Sequence, residues 1–149
     1  MKDLVLDKLV LTAVPASVID VIWSDVARVL RGSVSTANGR FDLNDIREGI
    51  KSGFYGLWVV MDEDRVVAAL TTRIIVYPQC KSLAMDWVGG SRGGARMSEW
   101  LPKAHKVITK FAKENGCTQI EGYGRKGWNR WLRAYGWEPH YIAYKMEIE

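Results

Sequence analysis

The sequence predicts a mixed α/β fold with the element order β-α-α-β-β-β-α-β-α-β. Three observations predict it. Short runs dense in Val, Ile, Trp and Thr recur along the chain, longer stretches between them carry apolar residues at helical spacing, and glycines stand at the junctions, above all in Val88-Gly-Gly-Ser-Arg-Gly-Gly-Ala95. The chain of 149 residues, 48% apolar and 11% aromatic, has the size of one domain with a real core and leaves no room for a second.

Residues 4–14 have strand-like apolar density and stop at Pro15. Ser17 followed by Asp20 resembles a capping box, and Val18, Val21, Ile22, Val26, Val29 and Leu30 then recur at helical spacing, so a helix is predicted over 17–31. Residues 31–40 have loop chemistry. Asp42 caps a second helix in which Leu43, Ile46 and Ile50 share a face, and Gly53 ends it. The runs 55–61 and 65–77 read as a hairpin turning through Asp62-Glu63-Asp64, and Pro78 closes it. A further strand over 82–88 breaks into Gly89 and Gly90. From 98 to 115, Leu101, Ala104, Val107, Ile108, Phe111 and Ala112 form one helix face, with Lys103, Lys106, Lys110 and Lys113 largely turned to water. Pro102 is tolerable only near the start of that helix, and Gly116 suits its end. A strand over 118–124, a short helix over 127–135 stopped by Gly136, and a last strand over 138–148 complete the order.

The net charge of +4 and a pI near 9.1 favour acidic partners such as nucleotides without selecting one. Cys80 and Cys117 form no CxxC pair, and His105 and His140 have no partner at metal-ligand spacing, so reduced thiols and no metal site are expected. Asp3, Asp7 and Lys8 interrupt any signal-peptide core, and no apolar run approaches the roughly 20 residues of a membrane span. A cytoplasmic protein without membrane contact is expected.

The last third, from the glycine loop through the strand over 118–124 to Arg125-Lys-Gly-Trp-Asn-Arg-Trp-Leu-Arg-Ala-Tyr-Gly-Trp137, resembles the acyl-CoA-binding half of the GCN5-related N-acetyltransferases (GNAT). The resemblance implies that two parallel strands, here 82–88 and 118–124, splay apart to admit the pantetheine arm of acetyl-CoA. It implies further that Val88, Gly89, Gly90, Ser91, Arg92, Gly93, Gly94 and Ala95 cradle the pyrophosphate at a helix N-terminus, with Arg125 nearby. Unsatisfied helix N–H groups attract phosphate, and glycines permit close approach; the same glycines would also serve a plain structural turn. Gly93 and Ala95 keep two landmarks of the family loop, while Gly90 replaces its leading Arg or Gln.

Counted back from Gly136-Trp137, the family's Asn, Ala and Tyr positions hold Arg125, Trp128 and Leu132. That Tyr is often the acid that reprotonates the CoA thiolate, which leucine cannot do. Tyr123 and Tyr135 lie close in sequence at other positions. Asp86 stands where many relatives carry the amine's base, and Glu121 is a second carboxylate on the adjacent strand; as a lone strand carboxylate, each is more often simply solvated. The interleaved Trp128, Arg130, Trp131 and Arg133 could stack on bases, but packing of the tryptophans onto the sheet is the simpler reading, and nucleic acid is not expected as a partner. The run Gly-Arg-x-Gly-Trp-x-Arg-x-Leu-x-x-x-Gly is also similar to small phage-encoded acetyltransferase-like proteins of the internal virion protein A type. The expectation is an acyl-CoA-dependent N-acyltransferase with a small-molecule or protein amine acceptor, or a silent relative that binds a virion or host protein.

Overall fold

The computed structural model describes residues 9–35, 37, 39–90, 97–124 and 126–149. Strand β1 (Leu9–Val14) pairs antiparallel with β2 (Gly56–Asp62), which turns back into β3 (Arg65–Val76). The two-residue turn requires left-handed backbone, and Glu63 supplies it at φ 56°. Between β1 and β2 lie α1 (Ile19–Val34) and α2 (Leu43–Lys51).

Asp42 caps α2 as the sequence predicts. Its Oδ1 accepts from the Asp45 N–H at 2.9 Å, and Asp45 Oδ2 accepts from the Asp42 N–H at 2.9 Å. The expected Ser17/Asp20 box does not form. Pro15 leads instead into a 3₁₀ turn, Ala16–Val18, closed by the Val18 N–H on the Pro15 carbonyl, so Ser17 lies inside that turn and α1 begins on Val18 without a side-chain cap. Asp20, freed from capping, binds Arg47 at 2.6 Å and Lys51 at 3.3 Å and ties α1 to α2.

Beyond β3 come β4 (Lys81–Met85), β5 (Val88–Gly90), α3 (Met97–Glu114), β6 (Gln119–Gly122) and one turn of helix, α4 (Asn129–Leu132), between 3₁₀ turns at Lys126–Trp128 and Arg133–Tyr135. The sheet runs β1-β2-β3-β4-β6, with β5 also on β3; β4 and β6 are parallel and the other pairs antiparallel.

Each face of the sheet has its own core. Val26, Val29, Leu30, Ile46 and Ile50 of α1 and α2 pack on Leu57, Val59, Ala69 and Trp87. Trp100, Leu101, Ala104 and Ile108 of α3 pack on Val60, Ala68, Leu70 and Leu83 from the other side. Two residues depart from the expected α3 pattern. Pro102 lies inside the helix, in its second turn, and Lys103, read as facing water, reaches back so that its Nζ donates to the Leu9 carbonyl at 2.5 Å.

The largest correction concerns the C-terminus. The strand expected over 138–148 is absent: every residue from 138 to 149 is exposed and outside regular structure, although Ile142, Tyr144, Met146 and Ile148 alternate as a strand would. Among the described residues β6 is therefore an open edge.

Candidate functional site

The strand line that holds β4 and β5 contains one extra residue. Ala84 opposes Arg73 and Val88 opposes Leu70, so three steps along β3 face four along the other strand. This is a β-bulge at Asp86 and Trp87. It is fixed by the Thr71 N–H on the Trp87 carbonyl at 2.9 Å and by the Trp87 N–H on Thr71 Oγ1 at 3.3 Å. The bulge brings Asp86 back over β3, where Arg73 Nε donates to its Oδ2 at 2.6 Å and Arg73 Nη2 to its Oδ1 at 3.2 Å.

Where the bulge turns, β6 departs. The last parallel pairs are Ala84 with Glu121 and Met85 with Gly122. From there 88–90 pairs only with β3, so its other backbone edge is unoccupied among the described residues. The expected parting of these two strands is thus present, beyond Met85 and Gly122. An extended pantetheine arm needs such an edge, since it adds to the sheet as a strand would through backbone hydrogen bonds. On this observation the residues present fit an acyl-CoA.

Alternation along the strands places Arg73, Ala84 and Glu121 in one row on the face that α1 and α2 share. Tyr77, Tyr123 and Asp86 gather around that row. Tyr77 donates its hydroxyl to Glu121 Oε1 at 2.7 Å, and this bond pushes its pKa up to about 12. Tyr123 is raised above its ordinary value, first by a hydrogen bond with the Tyr141 hydroxyl. Arg73 is raised too, chiefly by its bond to Asp86, and its guanidinium lies 5.4 Å from the Phe54 ring centroid. The three predicted catalytic candidates, Asp86, Glu121 and Tyr123, therefore stand in one neighbourhood.

The cofactor candidates divide. Val88, Gly89 and Gly90 are strand residues on β3, not the start of a loop. Gly89 has a packing reason for lacking a side chain: a Cβ there would lie 2.2 Å from the Val29 carbonyl oxygen of α1. Ser91, Arg92, Gly93, Gly94, Ala95 and Arg125 lie outside the described residues. Leu132, at the family's Tyr position, is half-buried, and its carbonyl accepts from the Trp137 N–H. Trp131 and Tyr135 of the aromatic-basic segment pack against the α3 core.

Sequence reasoning missed Arg73, Tyr77, Phe54 and Tyr141. The one available signal was Arg73, a lone charge in the otherwise uncharged run from Val66 to Tyr77. Among the described residues no group of three or more His, Cys, Asp or Glu could hold a metal, and no helix is long and apolar enough to cross a membrane.

No family model matches the chain, and no curated protein matches it. Solved structures do. An aminoglycoside acetyltransferase from an uncultured soil metagenomic sample, in complex with sisomicin, superposes with a TM-score of 0.71 at 12% identity over 96% of this chain and 98% of its own. An acetyltransferase of Trypanosoma brucei gives 0.64 at 14% identity over 94% and 99%, and a GNAT family acetyltransferase of Staphylococcus aureus gives 0.64 at 10% over 94% and 98%. With the bulged strand, the splay beyond Met85 and helices on both sheet faces, these likenesses show that the chain has the GNAT fold.

Proposed function

We propose that the protein is an acyl-CoA-dependent N-acyltransferase whose amine acceptor approaches from the α1 and α2 face. The observation that carries this reading is the splay itself. Strand line 86–90 leaves β6 just past Met85 and Gly122, and Asp86 and Glu121 flank the opening. The fold likeness supports it, and one protein of similar fold, an aminoglycoside acetyltransferase, was crystallised in complex with sisomicin.

The open backbone edge of 88–90 would hold the pantetheine arm, and the segment 91–95 with Arg125 the phosphates. Bound acetyl-CoA supplies a thioester carbonyl. Glu121, whose Oε2 has no hydrogen-bond partner among the described residues, takes the proton from the incoming ammonium. Asp86 has both oxygens engaged by Arg73; it serves better to hold the bulge than to accept a proton. With Leu132 unable to donate and the Tyr77 hydroxyl given to Glu121 Oε1, Tyr123, two residues past Glu121, is the hydroxyl that returns a proton to the departing sulfur. Its raised pKa makes it a weaker acid than a thiol near 8.5, so this step is uphill and turnover slow.

The test is the rate of CoA release with a panel of amines, alongside calorimetry with acetyl-CoA. Glu121→Gln should lower kcat by about 100-fold with acetyl-CoA affinity unchanged, and Asp86→Asn by far less. No heat at millimolar acetyl-CoA would overturn the reading. A second reading, a silent fold that binds a virion or host protein, is favoured by the exposed row of Ile142, Tyr144, Met146 and Ile148. Co-purification of such a partner through that row, with no CoA release, would establish it.

A further inference from the structure

The sheet ends on a strand with one open edge. β6 pairs with β4 on one side, and among the described residues no strand lies on its other side. The backbone N–H and C=O groups along such an edge are a template for one further strand. Ile120 of β6 is half-buried against the α3 core, so the apolar face of the sheet reaches this edge without being closed there.

The same chain carries a strand pattern that pairs with nothing. Ile142, Tyr144, Met146 and Ile148 alternate with Ala143, Lys145 and Glu147, which puts the large apolar side chains on one face of an extended segment. They are 75%, 90%, 82% and 89% exposed. This alternation is that of a half-buried strand, yet the segment buries no residue on its own domain. It leaves that domain at a fixed point. The Trp137 N–H donates to the Leu132 carbonyl at 3.3 Å, and its indole N–H donates to His105 Nε2 of α3 at 2.9 Å. The residues beyond this anchor are outside regular structure.

A foreign partner would have to bring both an extended strand for β6 and an open edge for 138–148. A second copy of this chain brings both, and a two-fold pair uses each feature once and leaves none over. We propose that the protein pairs with itself in this way: segment 138–148 of each copy adds to β6 of the other, with its apolar row laid beside Ile120 over the other copy's α3 core. At roughly 150 Å² for each large side chain, the two rows and the surfaces they cover remove about 2,000 Å² from water, the size of a stable dimer interface. This edge of β6 is not the one that parts from 88–90, so the pairing stands apart from the transfer reading.

Sedimentation equilibrium of the full chain should show a dimer at micromolar concentration, and truncation after Trp137 should leave a folded monomer at every concentration. Tyr144→Asp should weaken the dimer at least about 30-fold, as for loss of a central aromatic anchor, whereas Lys145→Gln, on the opposite face, should not. Hydrogen exchange should show the amides of 119–122 and 142–148 protected together, and more strongly as the chain concentration rises. A monomer with those amides protected would put the segment on its own β6, and a monomer with them unprotected would leave it unpaired. A dimer that survives truncation would place the interface elsewhere. Each of these three results overturns the proposal.

Discussion

At Gly89 the absence of a side chain is set by a neighbouring element, because the Val29 carbonyl of α1 occupies the place a Cβ would take. Both parties are backbone, so neither can rotate away. Gly89→Val should therefore destabilise the fold by about 3 kcal/mol, the upper end for overpacking, read from urea unfolding midpoints at constant m. An unchanged midpoint would mean that α1 is free to shift. The Arg73–Asp86 pair is a second residue-scale case. Their side chains are 28% and 13% exposed, between the surface and the interior. Asp86→Ala strands the guanidinium and releases the bulge, at a cost of about 2 kcal/mol, above that of an exposed pair and below that of a fully buried one. Asp86→Asn, which keeps an acceptor for Arg73, should lose less.

At the scale of elements, the last helical turns are joined to α3 through His105. Tyr135 stacks on its ring at 4.1 Å between centroids, and Trp137 Nε1 donates to its Nε2 at 2.9 Å. An indole N–H can only donate, so that Nε2 must be unprotonated. Burial lowers the pKa of His105 below its ordinary 6.5. The unfolded chain therefore binds the proton more readily than the folded one. The stability this contact contributes is complete above pH 6.5 and declines as the pH falls below it toward the folded-state value. Thermal unfolding followed from pH 7.5 to 5.5 should show this decline, and His105→Gln should flatten it; an unchanged slope would remove the contact from the stability of the junction. The neighbouring α4 carries Leu132 where the family has its proton donor. Leu132→Tyr should raise CoA release several-fold if the acid step limits turnover, and an unaltered rate would show that Tyr123 suffices or that another step limits.

For the molecule as a whole, the two cores lie entirely within residues 9–135, and the segment beyond Trp137 adds no buried residue. Truncation after Trp137 should change the unfolding free energy of the monomer by no more than about 0.5 kcal/mol, as for surface changes generally. A cooperative loss of stability would instead place the segment on β6 as a seventh strand. The sequence by itself determined the order of strands and helices through Glu121, because hydrophobic periodicity, the Asp42 cap and the Glu63 turn are local signals carried within a few residues. It also offered Asp86 and Glu121 as carboxylates on the two strands expected to part, and Tyr123 as a nearby hydroxyl off the family's position. It placed a strand over 138–148 from alternation alone, and alternation specifies a face without guaranteeing a partner edge. Only the tertiary structure decided that Asp86 is held by Arg73, that Gly89 is a contact with α1, and that Tyr77 donates to Glu121. Those facts depend on a one-residue bulge and on cross-strand register, which bring residues 13 to 44 positions apart into hydrogen-bond contact, and no local pattern in the chain encodes that register.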